Sequence, residues 1–449
     1  MDHDGRSPRA RIVAVALALG ALATCGSAHA RDRTGQPSAA SVAAIENAVQ
    51  RIRDLRLTRP VAIVQMTPEQ AAATLSQARE GAIDDATLAA ESRAGAMLGL
   101  FARGTDLEAA SIRMYRSQLL AFYDFHTRQM VLVEGARLRP VADAIAEAER
   151  PTPAVAGRVA SPVTDAIGNM IIAHELTHAL QDQNFALGAK LDSLRGDADR
   201  QLALRSVAEG DAMLVGWASA TGRLDPHLPP DTDAARDDAT RALMARADGD
   251  GVAAAYDYFN FPYVHGLRFI SAAYRRGGWP AVNALYADPP QSTQQIIDPA
   301  LYFDRPTLPD RVEPRGFTRV LPRWTVAARD TYGEIGIQVI LERNLGVDAP
   351  SVADARDWAG DRMVMLRRRD DFAVIWIVAF RSAGAARRFA AAYTDVLARI
   401  DGAAIPYSVA TRGRAVMVIV GAPARDGALA RSLWDASSIT PALVERGRP

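Results

Sequence analysis

The chain has 449 residues, which is enough for about two or three domains and a sizeable buried core. Its 52 basic and 52 acidic residues cancel to a formal net charge of zero. This balance argues against the basic surface typical of nucleic-acid-binding proteins, so we expect no nucleic-acid partner.

The first 30 residues have the features of a signal peptide. Three arginines within residues 1–11 precede an apolar stretch over residues 12–23, which is too short to cross a bilayer as a helix. Ala28-His29-Ala30 has the small residues of a signal peptidase site, which predicts cleavage after Ala30. We therefore expect an exported mature protein, periplasmic or secreted, without a transmembrane segment.

Cys25 is the only cysteine, and it lies inside this segment, so the mature chain can form no disulfide. A lipid anchor on Cys25 is the alternative to cleavage, because Leu-Ala-Thr-Cys over residues 22–25 resembles a lipobox. The threonine is larger than the residue usual before the cysteine, which disfavours lipidation.

Helical and short β-strand patterns alternate in the N-terminal part. In chain order they predict a helix over residues 41–57, a strand over 61–66, helical spacing through 97–101, an apolar stretch over 117–122 and a strand over 129–133. Thr67-Pro68-Glu69 opens a helix with an N-cap and a proline at the first helical position. A polar turn over residues 123–128 predicts a β-hairpin.

Three helical patterns follow the hairpin, over residues 161–183, 200–218 and 261–274. Residues 222–250 are polar and predict a loop. Gly277-Gly278-Trp279-Pro280 interrupts the third helix, and a short helix follows. Residues 298–317 are rich in proline and predict an extended linker.

The C-terminal pattern has the order β-β-α-β-β-α after one helix, which predicts a small α+β unit. Its elements are a helix over residues 332–343, strands over 363–366 and 372–380, a helix over 383–400, strands over 407–410 and 415–420, and a helix over 428–435. The expected fold class is α+β. The predicted division is a signal peptide over 1–30, a mainly helical domain with a small hairpin or sheet over 31–310, a linker over 311–330 and a C-terminal α+β domain over 331–449.

His174-Glu175-Leu176-Thr177-His178 reads H-E-x-x-H within an apolar helical pattern. Residues four apart share a helix face, so both imidazoles can bind one metal ion. Glu175 projects about 100° away, toward a metal-bound water, for which it can be the general base. The alternative is an amphipathic helix with a solvent-facing glutamate. The apolar stripe that Ile167 and Ile171 share with the histidines favours the metal site, because buried imidazoles need partners.

A catalytic zinc ion needs a third protein ligand. Glu209 is the expected one, since it lies in an apolar stretch of the next predicted helix. Small residues at 208, 210 and 212 would let this helix approach the metal helix closely. The alternative is a surface pair of Glu209 with Arg205 one turn earlier. Asp211 is the second candidate ligand, or an acceptor for an imidazole N–H.

Five further side chains are candidates for supporting roles. Asp182 lies one turn beyond the motif, where it could orient a histidine, cap the helix end or simply face solvent. Tyr263 and His265 are candidate donors to the oxyanion that forms during hydrolysis, as are Tyr123 and His126 on the predicted hairpin. Packing or a surface position is the alternative for each of these four.

The run His174-Glu175-Leu176-Thr177-His178-Ala179, with Asp182 further on, resembles the metal helix of thermolysin-like gluzincins. The resemblance implies a zincin-like catalytic domain, one zinc ion bound by His174, His178 and Glu209, and Glu175 as general base. The gluzincin pattern around the third ligand is N-E-x-x-x-D, whereas alanine precedes Glu209 here and methionine is the fourth residue after it. The layout also resembles exported bacterial proteins of poorly characterised function that contain H-E-L-T-H-A-L-Q-D-Q.

These observations favour an exported zinc metallopeptidase that cleaves peptide or protein substrates through a metal-activated water. One alternative is a binding or scaffold protein of the cell envelope with a structural or inactive zinc site. A second alternative is a zinc hydrolase that acts on amide bonds outside proteins, such as those of cell-wall peptides.

Overall fold

The structure is a computed structural model that describes residues 39–80, 85–102, 121–134, 153–224, 253–346, 349–401, 405–422 and 427–442. The predicted signal peptide with Cys25 and most of the predicted loop over 222–250 lie outside these residues. The α-helices are, in chain order, α1 (Ala39–Arg53), α2 (Pro68–Glu80), α3 (Asp85–Leu98), α4 (Pro153–Phe185), α5 (Leu187–Ser193), α6 (Ala198–Thr221), α7 (Ala253–Ala287), α8 (Thr293–Ile297), α9 (Ala300–Phe303), α10 (Phe317–Val320), α11 (Gly333–Leu345), α12 (Ala383–Asp401) and α13 (Ala428–Ala436). A 3₁₀ helix spans Pro350–Asp357. The strands are β1 (Ala62–Met66), β2 (Ala121–Asp124), β3 (Gln129–Val133), β4 (Arg311–Glu313), β5 (Thr325–Asp330), β6 (Trp358–Arg368), β7 (Asp371–Phe380), β8 (Tyr407–Arg412), β9 (Ala415–Val420) and β10 (Ser438–Thr440).

Three long helices, α4, α6 and α7, form the N-terminal part, with α6 packed against both of the others and α1 across α4 and α6. The crossing of α6 and α7 is close because two glycines meet there: a Cβ on Gly210 would lie 2.2 Å from the Gly266 backbone. The prediction that the small residue at 210 lies against the metal helix is wrong. Gly216 is the glycine of α6 that approaches α4, next to the Met170 carbonyl.

A small sheet with the strand order β1-β3-β2 lies beside α4. β2 and β3 pair antiparallel, as the predicted hairpin requires, and β1 pairs parallel with β3. After β1, Thr67 and Gln70 exchange hydrogen bonds between side chain and backbone, which starts α2 where the sequence predicts it. In this order β2 occupies an edge of the sheet, next to α4, the motif helix that carries His174 to His178.

The C-terminal part is a five-stranded antiparallel sheet in the order β5-β6-β7-β9-β8. Its central strand β7 is almost continuously apolar because both faces of the sheet are covered. Trp376 and Val378 pack on the face that α11 and α12 cover. Ile375 and Ile377 pack on the other face, toward α10 and α13.

Neither the predicted extended linker over residues 298–317 nor the predicted linker over 311–330 lacks secondary structure. The first segment contains α9 and β4, and the second contains β4, α10 and β5. β4 pairs with β10 near the end of the described chain, and β5 is an edge strand of the five-stranded sheet. β4 has only three residues and prolines lie near it, so the alternating pattern that identifies a strand is too short to recognise. The composition therefore indicated a linker.

Some helix ends also differ from their predicted positions. α4 begins at Pro153 instead of residue 161, and α7 begins at Ala253 and continues past Pro262. α3 ends at Leu98 before the left-handed Gly99, whereas the pattern continued to residue 101. The break within α7 lies at Gly277 and Gly278, as predicted.

The fold class is α+β, as predicted. One hydrophobic core joins the helical part to the C-terminal sheet, since α11 packs against α6, α7 and α8 while its buried residues Ile337 and Ile340 belong to the same cluster as Trp376. Among the described helices, none combines the length and apolar character needed to cross a bilayer.

Candidate metal centre

The two motif histidines lie one turn apart on α4. Their ring centroids are 4.7 Å apart with the rings nearly perpendicular, and their Nε2 atoms are 3.1 Å apart. Ile172, Ala173 and Leu176 are buried in the core on the same helix. This burial anchors the stretch of helix that carries both imidazoles.

Glu209 reaches the same point from α6. Its Oε2 atom is 3.0 Å from Nε2 of His174 and 3.3 Å from Nε2 of His178. Within the described residues, these three side chains are the group of His, Cys, Asp or Glu whose ligand atoms converge. Ligands around a tetrahedral zinc ion lie about 3.3 Å from one another. The donor set and its spacing therefore fit zinc.

The three side chains perturb one another electrostatically. Burial disfavours the charged form of His178, but the adjacent Glu209 carboxylate outweighs it and raises the pKa of this imidazole to about 9. Burial would raise the pKa of Glu209, yet the two histidines hold this pKa well below its usual range. A carboxylate and two imidazole nitrogens this close together favour a bound cation, which is either a proton or a metal ion.

Glu175, the predicted general base, is buried between α4 and the hairpin. One of its carboxylate oxygens accepts a hydrogen bond from the backbone N–H of Tyr123 in β2 at 2.8 Å. Burial raises the pKa of the Glu175 carboxyl, and the nearby histidines oppose this shift. An edge strand thus holds the Glu175 carboxylate. The sequence predicted the hairpin that contains this strand but not its contact with Glu175.

Gln181 supports His178, a role that the sequence analysis missed. Its Oε1 lies 2.8 Å from Nδ1 of His178, while its side-chain N–H groups donate to the Ala208 carbonyl at 2.9 Å and to Asp211 at 3.2 Å. Gln181 follows His178 by three residues, so their shared helix face was the available signal.

Asp211 is not part of the converging group but lies behind it. Its carboxylate accepts hydrogen bonds from Nε of Arg53 at 2.8 Å and from the Tyr286 hydroxyl at 2.7 Å, besides that from Gln181. Asp211 reaches His178 only through Gln181, so the predicted direct bond to an imidazole is replaced by a relay. Arg53, which ends α1, was not predicted at all, because no local pattern marks it.

Asp182 fastens the hairpin to the motif helix instead of orienting a histidine. Its carboxylate accepts hydrogen bonds from the Gly188 backbone at 3.1 Å and from the Tyr123 hydroxyl at 3.3 Å. The guanidinium groups of Arg59 and Arg128 lie 3.7 and 3.8 Å from it. It therefore links three segments that surround the motif.

The candidate oxyanion donors have different environments. The Tyr263 ring stacks 6.1 Å from the His174 ring and is partly exposed, so it lies beside the converging group. His265 stacks on Phe261, and burial lowers its pKa to about 4. The Tyr123 hydroxyl is engaged with Asp182, and His126 is exposed in the hairpin turn. Of these four side chains, Tyr263 is the one that stacks on a candidate ligand.

A family model described as a domain of unknown function (DUF8575) matches residues 320–432. The matched segment is well under half of the chain and covers the C-terminal sheet with its helices, not the helices that carry the metal centre. Comparisons with curated proteins and with solved structures produced no match.

Proposed function

We propose that the protein is an exported zinc-dependent peptidase. One observation carries this proposal: Nε2 of His174, Nε2 of His178 and Oε2 of Glu209 lie within 3.3 Å of one another. Two histidines and a glutamate are the protein ligands in one class of catalytic zinc sites. The buried carboxylate of Glu175 follows the first histidine on the same helix.

A zinc ion bound there would lower the pKa of a water molecule and polarise the substrate carbonyl. Glu175 takes the proton that the attacking water loses and passes it to the departing amine. Its burial, which raises its pKa, suits a group that must hold a proton between two steps. The Tyr123 N–H keeps the carboxylate in place meanwhile, because it binds one of the two oxygens.

The number of converging side chains favours catalysis over a purely structural zinc site. Structural zinc sites are closed by four protein ligands, whereas catalytic sites keep a position for water or substrate. Three side chains converge among the described residues, and neither Asp211 nor His265 joins them. Asp211 is held by Arg53 and Tyr286 instead.

The test uses the protein purified from residue 31 onward, with zinc measured per chain and cleavage followed by mass spectrometry on a broad peptide library. Glu175→Gln should keep the zinc and lose cleavage. Glu342→Gln, a carboxyl-to-amide change on α11, is the matched control and should behave like wild type. A chelator should abolish the wild-type activity, and added zinc should restore it.

Equal cleavage by wild type and Glu175→Gln would refute the proposed function. Zinc binding by a wild-type protein that cleaves neither proteins nor peptides would favour the scaffold alternative. Cleavage restricted to cell-wall peptides in the same library would identify a hydrolase of amide bonds outside proteins.

A further inference from the structure

We propose that Gln181 is a positioning residue that fixes the His178 imidazole with Nε2 facing the metal position, and that Asp211 and Arg53 hold Gln181 in this orientation. This inference rests on the proposed zinc site. It makes the end of the N-terminal helix α1 part of the metal centre, although Arg53 precedes the motif by more than a hundred residues.

The orientation of the Gln181 amide follows from its neighbours. The Ala208 carbonyl and the Asp211 carboxylate only accept hydrogen bonds, so both must face the NH₂ group of Gln181. The amide oxygen then faces Nδ1 of His178 at 2.8 Å, and this nitrogen has to carry the proton. When zinc displaces the proton on Nε2, the lone pair of this nitrogen is directed at the place where it meets Glu209 and His174.

Asp211 can serve as a fixed acceptor because it is itself held on two sides. The Arg53 guanidinium contacts both carboxylate oxygens, at 2.8 and 3.1 Å, and both side chains are fully buried. Arg53 is oriented in turn by Asn283 at 2.7 Å and by the ring of Trp279, 4.3 Å below the guanidinium carbon. These contacts restrain the ion pair, and the Asp211 carboxylate passes this restraint to the Gln181 amide.

Gln181 orients the His178 imidazole without a charge, whereas an aspartate in its place would add a negative charge next to the imidazole. The Asp211 carboxylate lies behind Gln181 and is paired with Arg53. It therefore orients the Gln181 amide without bonding His178 directly. Groups that orient ligating histidines commonly contribute ~10–100-fold to metal affinity. The same range is expected for Gln181.

The main test compares Gln181→Met with Gln183→Met. Gln183 is two residues further along α4, and its amide bonds the backbone of residues 58 and 59 at the surface. Zinc affinity is measured by competition with a chromogenic chelator. Gln181→Met should bind zinc ~10–100-fold more weakly than wild type, whereas Gln183→Met should match wild type. Wild-type affinity in a folded Gln181→Met protein would overturn the proposal.

A milder variant covers the case in which Gln181→Met does not fold. Tyr286→Phe removes one donor to Asp211 and leaves the ring stacked on Phe185. Its control is Tyr393→Phe, which removes a buried hydroxyl of α12 that donates a hydrogen bond to the Leu98 carbonyl of α3. A loss of zinc affinity in Tyr286→Phe alone, about two- to tenfold, supports the relay. Equal affinities in the two variants would overturn it.

Histidine ¹⁵N NMR of the zinc-loaded wild type reads the tautomer directly. The proposal requires a proton on Nδ1 of His178 and coordination through Nε2, and the reverse assignment would overturn it. These readouts separate the two proposals. If the wild-type protein binds no zinc, the proposed function is refuted. If the wild type is an active peptidase and Gln181→Met keeps full zinc affinity, only the positioning role is refuted.

Discussion

The backbone N–H of Tyr123 donates a hydrogen bond to the Glu175 carboxylate at 2.8 Å. An edge strand and the motif helix therefore share the group that we propose as the general base. Because the bond comes from the backbone, its strength depends on where β2 lies and not on which side chain occupies residue 123. Whatever fastens the hairpin to α4 consequently positions the base.

Asp182 is the side chain that fastens the hairpin, so Asp182→Ala should impair catalysis more than metal binding. We expect kcat/KM to fall about tenfold and unfolding free energy by about 1–2 kcal/mol, with zinc affinity nearly unchanged. Peptide kinetics and zinc competition measure the two effects. Asp192→Ala, at an exposed ion pair with Arg195, is the control. A parallel loss of zinc would show that Asp182 supports the metal instead.

The two glutamates of the site should separate by their effect on zinc. Glu209→Gln removes a charged ligand, so we expect zinc affinity to fall about 100-fold or more. Glu175→Gln removes the base and should leave zinc affinity near the wild-type value. Equilibrium dialysis against buffered zinc measures both variants under one condition. The opposite pattern, with zinc kept by Glu209→Gln and lost by Glu175→Gln, would exchange the two roles.

The glycine contact between α6 and α7 should tolerate no added carbon. In Gly210→Ala the new Cβ would lie 2.2 Å from the Gly266 backbone, so the helices must move apart next to Glu209. We expect a loss of about 3 kcal/mol in stability, read as a lower thermal midpoint, together with weaker zinc binding. Gly384→Ala is the control, because its nearest neighbours are 3.7 Å away. Equal midpoints would mean that the crossing is looser than described.

Asp330 should make stability depend on pH. Burial raises the pKa of its carboxyl to about 7, well above the usual value for an aspartate. Because the folded protein binds this proton more tightly than the unfolded chain does, protonation of Asp330 stabilises the folded state. This contribution is therefore complete near pH 4 and is lost as the pH rises through about 7. Both backbone donors, of Ala198 and Thr331, bond Oδ1, which asparagine retains.

Asp330→Asn should therefore be more stable than wild type near pH 8, by on the order of a few kcal/mol, and similar to it near pH 4. Thermal unfolding of both proteins across this range measures the difference. Asp371→Asn, at an exposed carboxylate, should change stability little at either pH. A variant that is less stable than wild type at pH 8 would contradict the assignment.

Much of the fold and part of the site were predictable because they depend on neighbours along the chain. The spacing of apolar residues predicts α4 and α6, and the hairpin turn predicts β2 and β3, because these patterns record which face of an element is buried. The i,i+4 spacing of His174 and His178 brings two imidazoles together without any other part of the chain.

Other features could not be predicted because their partners are distant in sequence. Arg53 and Asp211 are 158 residues apart and meet only after α1 packs across α4 and α6. β4 has three residues and becomes a strand through pairing with β10 near the chain's end. Gly210 faces α7 and not α4, which depends on the rotation of α6 between its two neighbours.

By itself the sequence determined the H-E-x-x-H helix, the α+β class and Glu209 as the expected third ligand. Tertiary structure alone decided that Glu209 reaches both histidines, that β2 holds Glu175 and that Gln181 connects His178 to Asp211. The physical reason is that the spacing of apolar residues indicates which face of a helix or strand is buried, whereas the packing of whole helices decides which side chains meet as hydrogen-bond partners. The site therefore combines a local motif with long-range contacts that orient it.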